Sequence, residues 1–258
     1  MTTARDRREQ IARLVDEFQR VSVADLTARF GVTGASIRRD LMILEDAARL
    51  RRVYGGAVGR AGVRTHSIYA MKARERREQK ARTGAAAAAL VAAGDVVFFD
   101  SGTTVAQVAA HIPGPLRRSN AITAVTHSIP VLEEIGDWES PHLICLGGLY
   151  LPDYQALVGP RTVAALRDLS ADIVFLGCDG LTVEAGLSTP HILAAEVGAT
   201  MTARARRVVA VADSSKLGRQ GFTRIVGLAE VDLLVTDTDA DPERVAEIRA
   251  AGVEVRLA

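Results

Sequence analysis

Short apolar stripes at helical spacing dominate the first fifty residues of the chain. Apolar side chains at i, i+3, i+4 and i+7 predict an amphipathic helix over residues 7–19. The capping-box pattern of residues 22–25 predicts a second, shorter helix that runs through Phe30. A glycine-containing turn over residues 31–33 follows, and Thr33 suits the N-cap of a third helix. Three helices in this arrangement predict a helix-turn-helix domain.

The third helix combines an apolar stripe with a short basic face. The stripe is expected to pack on the core of the domain. A basic outer face near the helix N-terminus suits entry into a DNA major groove. Asp40 lies beside the stripe, and we expect it to pair with a neighbouring arginine rather than to contact DNA. The stripe consists of Ile37, Leu41, Leu44 and Ala48; opposite it lie Ala35, Arg39 and Met42, with Ser36 and Arg38 on its flanks.

A strand and a glycine turn over residues 51–58 follow the third helix and predict a small wing, whose arginines would rest on DNA phosphates. The alternative is a structural three-helix domain with a salt-bridged surface. It is less favoured because Arg38 and Arg39 sit where a recognition helix needs positive charge. We therefore predict a winged helix-turn-helix domain over residues 1–60. Its predicted DNA-contacting residues are Ser22, Thr33, Ala35, Ser36, Arg38, Arg39, Met42, Arg51, Arg52 and Tyr54.

From Val96 onward, short β-rich runs alternate with helical segments. This alternation predicts an α/β domain over residues 94–258, with a mostly parallel sheet covered by helices on both faces. Residues 61–93 are predicted to be a linker, centred on Gly59 to Arg64, and a connecting helix that breaks near Thr83-Gly84. The predicted strands are Val96–Phe99, Ala121–Val125, Leu143–Leu146, Ile173–Leu176, Val208–Val211, Leu233–Val235 and Val253–Arg256; the predicted helices include Thr104–His111, Ile129–Ile135, Arg161–Leu169, Pro190–Arg204 and Pro242–Ala250.

Charge divides the chain unevenly, although the formal net charge is only +1. Residues 1–82 hold 19 Lys and Arg against 10 Asp and Glu, whereas residues 83–258 hold 13 against 21. A basic N-terminal part on an acidic body concentrates attraction to polyanions at the predicted helix-turn-helix.

The remaining composition is that of a folded soluble protein. The N-terminus has no apolar signal segment, and the longest apolar run, Ala85 to Ala93, is too short to span a bilayer, so a cytoplasmic protein without membrane contact is expected. Cys145 and Cys178 are expected to be buried free thiols. The five histidines lack ligand spacing with either cysteine, so no metal or cofactor is predicted.

Polar loops follow five of the predicted strands, at the edge where open α/β sheets bind ligands. Five such loops on one edge predict one polar pocket. Gly102 allows close approach of the backbone, and the amides at Thr103 and Thr104 open a helix and form an anion site aided by the helix dipole. The loops are Asp100-Ser-Gly-Thr-Thr104, Thr126-His-Ser128, Gly147-Gly148, Gly177-Cys-Asp-Gly180 and Ala212-Asp-Ser-Ser-Lys216.

These residue types suit a phosphate that carries hydroxyl groups. Lys216 is the only lysine in residues 83–258, and an ammonium beside hydroxyls fits a phosphate counter-ion. Asp100 and Asp179 suit hydrogen bonds from sugar hydroxyls. Each loop alone is ordinary turn chemistry, and a lone lysine is ordinary surface, so it is their joint placement that supports the prediction.

The Ser36-Ile-Arg-Arg-Asp-Leu41 and Arg52-Val-Tyr-Gly-Gly-Ala57 segments resemble the DNA-binding domain of the DeoR/GlpR family of bacterial transcriptional regulators. The Asp100–Thr104 and Ala212–Gly218 segments are similar to its C-terminal sensor domain. The resemblance implies a fold related to ribose-5-phosphate isomerases and CoA transferases. One departure is Gly34, where the family usually has a proline, so the start of the third helix should be looser.

Members of this family commonly repress carbohydrate-utilisation operons and are released by a phosphorylated sugar. Two departures bear on ligand choice: the family usually has asparagine at His127 and often lysine at Gly198. The resemblance implies that Asp100, Ser101, Gly102, Thr103, Thr104 and Lys216 hold the effector, with Thr126, His127, Ser128, Gly147, Gly148, Asp179, Gly180 and Glu196 around it.

The leading hypothesis is a repressor that binds double-stranded operator DNA, responds to a small phosphorylated sugar and is not an enzyme. A homo-oligomer, dimer or tetramer, is expected because paired half-sites need symmetry. The alternative is a sugar-phosphate isomerase or hydrolase fused to a DNA-binding head, with Asp100, Asp179 and Glu196 as acid–base candidates. An activator is a third hypothesis, since the sequence is silent on the sign of regulation.

Overall fold

The computed structural model describes residues 4–18, 20–47, 49–53, 55–59 and 68–258. The chain divides into two compact units, Met1–Met71 and Lys72–Ala258, which we call the first and second units. Ala48 and Tyr54, together with all but Gly59 of the predicted linker, lie outside the described residues. Within the described ranges, no helix is both long and apolar enough to cross a membrane.

Up to Gly59, the described residues of the first unit form three helices and a small antiparallel sheet of order β1-β3-β2. Ser22 and Thr33 cap the second and third helices as predicted, and Gly31 ends the second helix in the left-handed region with φ of 63°. The predicted winged helix-turn-helix is therefore confirmed. The elements are α1 (Ala4–Phe18), β1 (Arg20–Ser22), α2 (Val23–Phe30), α3 (Gly34–Asp46), β2 (Leu50–Val53) and β3 (Gly56–Gly59).

Two helices, α4 (Ile68–Arg74) and α5 (Arg77–Ala88), form the connecting segment. The expected break at Thr83-Gly84 is wrong, because the chain turns at Arg76, which has φ of 51°. Gly84 lies inside α5 and serves packing instead. A Cβ atom at Gly84 would lie 2.6 Å from the backbone of Gln107 in α6 (Thr103–Ala110), so the missing side chain lets the two helices approach closely.

The second unit is built on a seven-stranded sheet of order β15-β14-β12-β9-β4-β5-β6. All its neighbouring strands pair in parallel. Alternating side chains fill two cores, so that Phe98 packs on one face and Phe99 on the other. Each of the seven predicted strands belongs to this sheet. The strands are β4 (Val96–Phe99), β5 (Thr123–Thr126), β6 (His142–Cys145), β9 (Ala171–Leu176), β12 (Ala205–Val211), β14 (Leu233–Thr236) and β15 (Glu254–Leu257).

Helices cover both faces, and short antiparallel strands that the sequence analysis did not predict complete the unit. Strand β7 pairs with β8, and β11 pairs with β10 and β13. The remaining elements are α7 (Gly114–Arg118), α8 (Ile129–Gly136), α9 (Pro160–Arg167), α10 (Ile192–Ala203), α11 (Pro242–Ala250), β7 (Leu149–Leu151), β8 (Ala156–Val158), β10 (Gly180–Thr182), β11 (Gly186–Thr189) and β13 (Thr223–Val226).

The two cysteines are free, and the predicted burial is wrong for Cys145. Cys145 is exposed because it ends β6, the edge strand, whose side chains are only partly covered. Cys178 packs against the core in the loop after β9, where the residue is partly covered and its thiol is buried.

Candidate DNA-binding and effector sites

The outer face of α3 carries an exposed basic pair. Arg38 and Arg39 are both exposed, whereas Ile37, Leu41 and Leu44 are buried, as the apolar stripe predicted. No ion pair joins either arginine to a carboxylate within the described part of the chain. Both guanidinium groups are therefore available to a polyanion. Ala35 and Met42 are exposed on the same helix.

Asp40 pairs with arginine, as predicted, and does not belong to this outer face. Its Oδ2 atom accepts a hydrogen bond from Arg7 Nε at 2.6 Å, and Arg8 Nε lies 3.9 Å from Oδ1. Asp40 is 4% exposed. The pair joins α1 to α3 and so fixes the helix that presents the basic face.

Other predicted DNA contacts have structural partners within the first unit. Ser22 Oγ accepts from the Asp25 amide at 3.0 Å, and Thr33 Oγ1 accepts from the Ser36 amide at 3.3 Å. The Arg52 guanidinium lies 3.7 Å from Glu45 Oε2. These groups position α2, α3 and the wing. The Arg51 side chain and Tyr54 lie outside the described residues.

In the second unit, the loops that follow β4, β5, β9, β12 and β14 form one edge of the parallel sheet, which we call the carboxyl rim. Asp100 follows β4 and His127 follows β5. His127 Nε2 lies 2.9 Å from Asp100 Oδ1, and Nδ1 lies 2.8 Å from the Leu157 carbonyl oxygen. The Gly177 amide donates to Asp100 Oδ2 at 3.2 Å. These bonds join the loops after β4, β5 and β9.

Both ring nitrogens of His127 lie beside acceptor oxygens, those of Asp100 and Leu157. His127 is 0% exposed, so bulk water does not supply an alternative partner for either nitrogen. The imidazole ring is therefore held between the loop after β4 and strand β8.

Thr126 and Ser128 flank this pair and are also fully buried. Thr126 Oγ1 donates to the Phe99 carbonyl at 2.9 Å and accepts from the Ser128 amide at 3.1 Å. Thr126 therefore orders the loop after β5. Ser128 Oγ has no hydrogen-bond partner among the described residues.

The predicted glycines divide into open and packed positions. Gly102 has φ of 127° and Gly147 faces open space, so at these two points the backbone can be approached closely. A Cβ atom at Gly148 would collide with Thr162, and one at Gly180 would collide with Arg219. These two glycines serve packing.

Asp179 is enclosed by three donors. Lys72 forms an ion pair with Oδ1, while Thr189 Oγ1 donates to Oδ2 at 3.0 Å and the Tyr154 hydroxyl to Oδ2 at 3.3 Å. Burial raises the pKa of Tyr154 to about 12, and the Asp179 charge adds to this effect. The phenol therefore stays protonated and remains a donor. Lys72 was not among the predicted site residues.

The loop after β12 is held by the connecting segment. Arg76 Nη2 donates to Ser214 Oγ at 2.7 Å, to Asp237 Oδ1 at 3.2 Å and to Asp239 Oδ2 at 3.1 Å, and Arg76 Nε lies 3.4 Å from Asp213 Oδ1. In the sequence, Arg76 is recognisable only as part of a charged helical run.

Lys80 is buried beside this network, and its ammonium donates to the carbonyl oxygens of Lys72 and Glu75. Burial lowers the pKa of Lys80, which the nearby Asp213 charge opposes. The neighbouring Lys216 ammonium also lowers it. Lys80 thus attaches the end of α4 to the rim.

The charged groups of the rim gather around Cys178. Burial raises the pKa of its thiol to about 12, the charges of Asp179, Asp213 and Asp100 raise it as well, and Lys216 acts in the opposite direction. Four charged groups from the loops after β4, β9 and β12 therefore act on one sulfur atom. Asp100, Asp179 and Lys216 lie in loops that follow β4, β9 and β12, which are neighbours in the parallel sheet.

Two residues from the family pattern stand apart. Glu196 is exposed on α10, and no described side-chain contact joins it to the rim. Gly198 is buried, and a Cβ atom there would lie 2.7 Å from Ile225 Cγ2. A lysine at Gly198 would have to displace Ile225, which accounts for the small residue in this chain.

A winged helix-turn-helix with an open basic face, followed by an α/β unit, defines a DNA-binding transcriptional regulator. The DeoR-like helix-turn-helix domain model matches residues 7–60, and the DeoR C terminal sensor domain model matches residues 75–238. The chain belongs to the DeoR family.

Similar proteins include regulators of the same length. The HTH-type transcriptional regulator GlpR of Haloferax volcanii is 37% identical over 97% of this chain and 96% of its own. The putative aga operon transcriptional repressor of Escherichia coli O157:H7 is 30% identical over 100% of this chain and 95% of its own.

Solved structures also resemble the chain. The sorbitol operon regulator SorC from Klebsiella pneumoniae is 13% identical, with a TM-score of 0.41, over 93% of this chain and 97% of its own. Ribose 5-phosphate isomerase A from Methanocaldococcus jannaschii is 18% identical, with a TM-score of 0.41, over 55% of each chain.

Proposed function

We propose that this regulator is a repressor of a carbohydrate-utilisation operon, that α3 reads its operator, and that a phosphorylated sugar bound at the carboxyl rim releases it. The observation that carries the proposal is that the loops with Asp100, Asp179 and Lys216 follow three neighbouring parallel strands, and that the Gly177 amide joins the first two of these loops by its hydrogen bond to Asp100. The relative from Escherichia coli O157:H7 is named a putative operon repressor, which supports the sign of regulation.

The rim offers separate groups for the two ends of a sugar phosphate. The amides that begin α6 point their positive dipole end toward an anion, and the open backbone at Gly102 allows it to approach. Lys216 supplies a cation for the same anion. Asp179 supplies a carboxylate for hydroxyl groups.

Regulation requires that effector and operator binding be linked. An effector that weakens operator affinity must itself bind the DNA complex more weakly, typically by about 1–3 kcal/mol. We expect a symmetric homo-oligomer, dimer or tetramer, since one recognition helix reads only a few base pairs.

A thermal-shift panel tests the effector site. Ribose 5-phosphate, glucose 6-phosphate and their unphosphorylated sugars are added to the wild type, Lys216→Ala and Arg161→Ala. We expect a phosphorylated sugar to stabilise the wild type and Arg161→Ala but not Lys216→Ala. Arg161→Ala is the control because it removes a charge from an exposed position on α9. Equal stabilisation by the unphosphorylated sugars would show that the anion site is wrong.

A sugar-phosphate isomerase is the second candidate, because a histidine that contacts a carboxylate, as His127 contacts Asp100, suits acid–base chemistry. Incubation of the wild type with ribose 5-phosphate, followed by analysis of the sugar products, distinguishes the two functions. Turnover that His127→Gln abolishes would favour the enzyme, and an unchanged substrate would favour the sensor.

A further inference from the structure

Asp179, the proposed partner of sugar hydroxyls, has no open oxygen in the structure. Thr189 and Tyr154 donate to Oδ2, and the Lys72 ammonium occupies Oδ1. The same ammonium lies 5.8 Å from the centre of the Tyr154 ring, where a cation is attracted to the aromatic face. An effector hydroxyl that binds Asp179 Oδ1 therefore competes with Lys72 for this oxygen.

Lys72 lies on the segment that joins the two units in sequence. Helix α4 crosses the boundary between Met71 and Lys72, so the chain passes from the first unit into the second through this helix. The Lys72 side chain is 33% exposed and the Asp179 side chain is 18% exposed. The ion pair is therefore reachable from solvent, and a ligand can compete for it.

Lys72 and Arg76, at the two ends of a five-residue stretch, differ in the number of contacts that hold their side chains. Arg76, four residues after Lys72, contacts three carboxylates and the Ser214 hydroxyl. Two of those carboxylates are almost fully buried. Lys72 has one carboxylate partner, at a partly exposed position. The turn at Arg76 is thus the fixed end, and the side chain of Lys72 is the releasable end.

We propose that Lys72 is the residue through which the effector acts on operator binding. This inference rests on the proposed effector site. In the ligand-free protein, Lys72 pairs with Asp179 and attaches α4 to the carboxyl rim. When a sugar hydroxyl takes the place of the ammonium at Asp179 Oδ1, Lys72 is released, and α4 loses its attachment to Asp179.

The test compares operator affinity with and without effector. The DNA probe is a duplex selected from a random library with the wild type, and the effector is whichever of ribose 5-phosphate and glucose 6-phosphate stabilises the wild type. The variants are Lys72→Met, Lys72→Arg and Asp179→Asn. Arg74→Met is the matched control, because it removes an exposed cation from the same helix. Fluorescence anisotropy gives each Kd, and thermal shift reports effector binding separately.

For the wild type, we expect the effector to change the operator Kd by about 5- to 150-fold. In Lys72→Met, the ratio of the operator Kd with effector to the operator Kd without effector falls to near one, although the effector still stabilises the variant. Asp179→Asn, which weakens the same ion pair, also loses the ratio, and its operator Kd without effector approaches the effector-bound value of the wild type. Lys72→Arg keeps the charge and restores the ratio, and Arg74→Met keeps it throughout.

Each other outcome has a defined meaning. A Lys72→Met variant with the wild-type ratio would overturn the inference while leaving the effector site intact. Loss of effector binding in Lys72→Met would make Lys72 a phosphate ligand and would also overturn the switch. If neither sugar phosphate stabilises the wild type, the proposed effector site fails, and the inference fails with it.

Discussion

Basic residues have opposite surroundings in the two units. In the first unit, Arg38 and Arg39 are exposed on α3 and meet no carboxylate within the described ranges. In the second unit, Lys72, Arg76 and Lys80 each contact or approach a carboxylate of the rim. The same residue types therefore serve two purposes, and pairing, more than net charge, indicates which side chains are free to attract a polyanion.

The pairing in the second unit compensates carboxylates that the fold has removed from water. Asp213 is 1% exposed and Asp237 is 0% exposed. A buried carboxylate is costly unless it is paired and hydrogen-bonded. Arg76 contacts both, so its guanidinium stabilises the loops after β12 and β14 together.

Replacing the paired arginine should have the largest effect on stability. Arg76→Met leaves both buried carboxylates without this cation and should lower the free energy of unfolding of the second unit by about 3 kcal/mol. The measurement is urea unfolding followed by the fluorescence of Trp138, the single tryptophan, which is buried in that unit.

Arg77→Met is the matched control for this variant, because it removes the adjacent, exposed arginine. Its free energy of unfolding should stay within about 0.5 kcal/mol of the wild type. If both variants are equally destabilised, the contrast between paired and open arginines does not hold.

Replacing an open arginine should affect DNA binding and leave stability unchanged. Arg39→Ala should weaken specific operator binding by about 1–3 kcal/mol, because it removes a contact that the proposed recognition helix makes with the groove. Anisotropy titrations over a range of salt concentrations measure the effect. Wild-type log K should fall steeply with log salt.

Arg13→Ala provides the comparison within the first unit, since Arg13 is exposed on α1 rather than on α3. Arg13→Ala should weaken the binding of the selected duplex and of random duplexes by the same factor, so that the preference for the selected duplex is kept. A wild type whose DNA binding is insensitive to salt, or an Arg39→Ala variant with unchanged operator affinity, would contradict the proposed role of α3.

Local pattern was enough to predict the first unit and the main sheet. The helix caps at Ser22 and Thr33 and the buried stripe of α3 depend on residues within a few positions of one another, so their spacing carries the information. The seven strands of the sheet were predicted for the same reason, because each is a short apolar run between helices.

Contacts between distant positions could not be predicted in this way. Lys72 and Asp179 are 107 positions apart, and Arg76 and Asp237 are 161 positions apart. From sequence, both basic residues belong to a charged helical run whose partners are unspecified. The exposure of Cys145 was missed for a related reason, since an apolar run does not reveal that its strand lies at the edge of a sheet.

The smallest expected effect is the loss, in acid, of the stability that the buried Asp237 carboxylate contributes. Burial acts to raise the pKa of Asp237, but hydrogen bonds from the Ser214 amide and hydroxyl and the Asp239 amide, with the charge of Arg76, hold it below the ordinary value of about 3.9. A carboxyl group with a depressed pKa stabilises the folded state fully above its ordinary pKa and loses that contribution as the pH falls through its pKa in the folded state.

Asp237→Asn should therefore be less stable than the wild type at neutral pH, and the difference in the free energy of unfolding should narrow in acid. Urea unfolding of both proteins by Trp138 fluorescence, from neutral pH down to about one unit below the ordinary value, measures this. A stability difference that is constant over the range would mean that the Asp237 charge does not contribute to the network around Arg76.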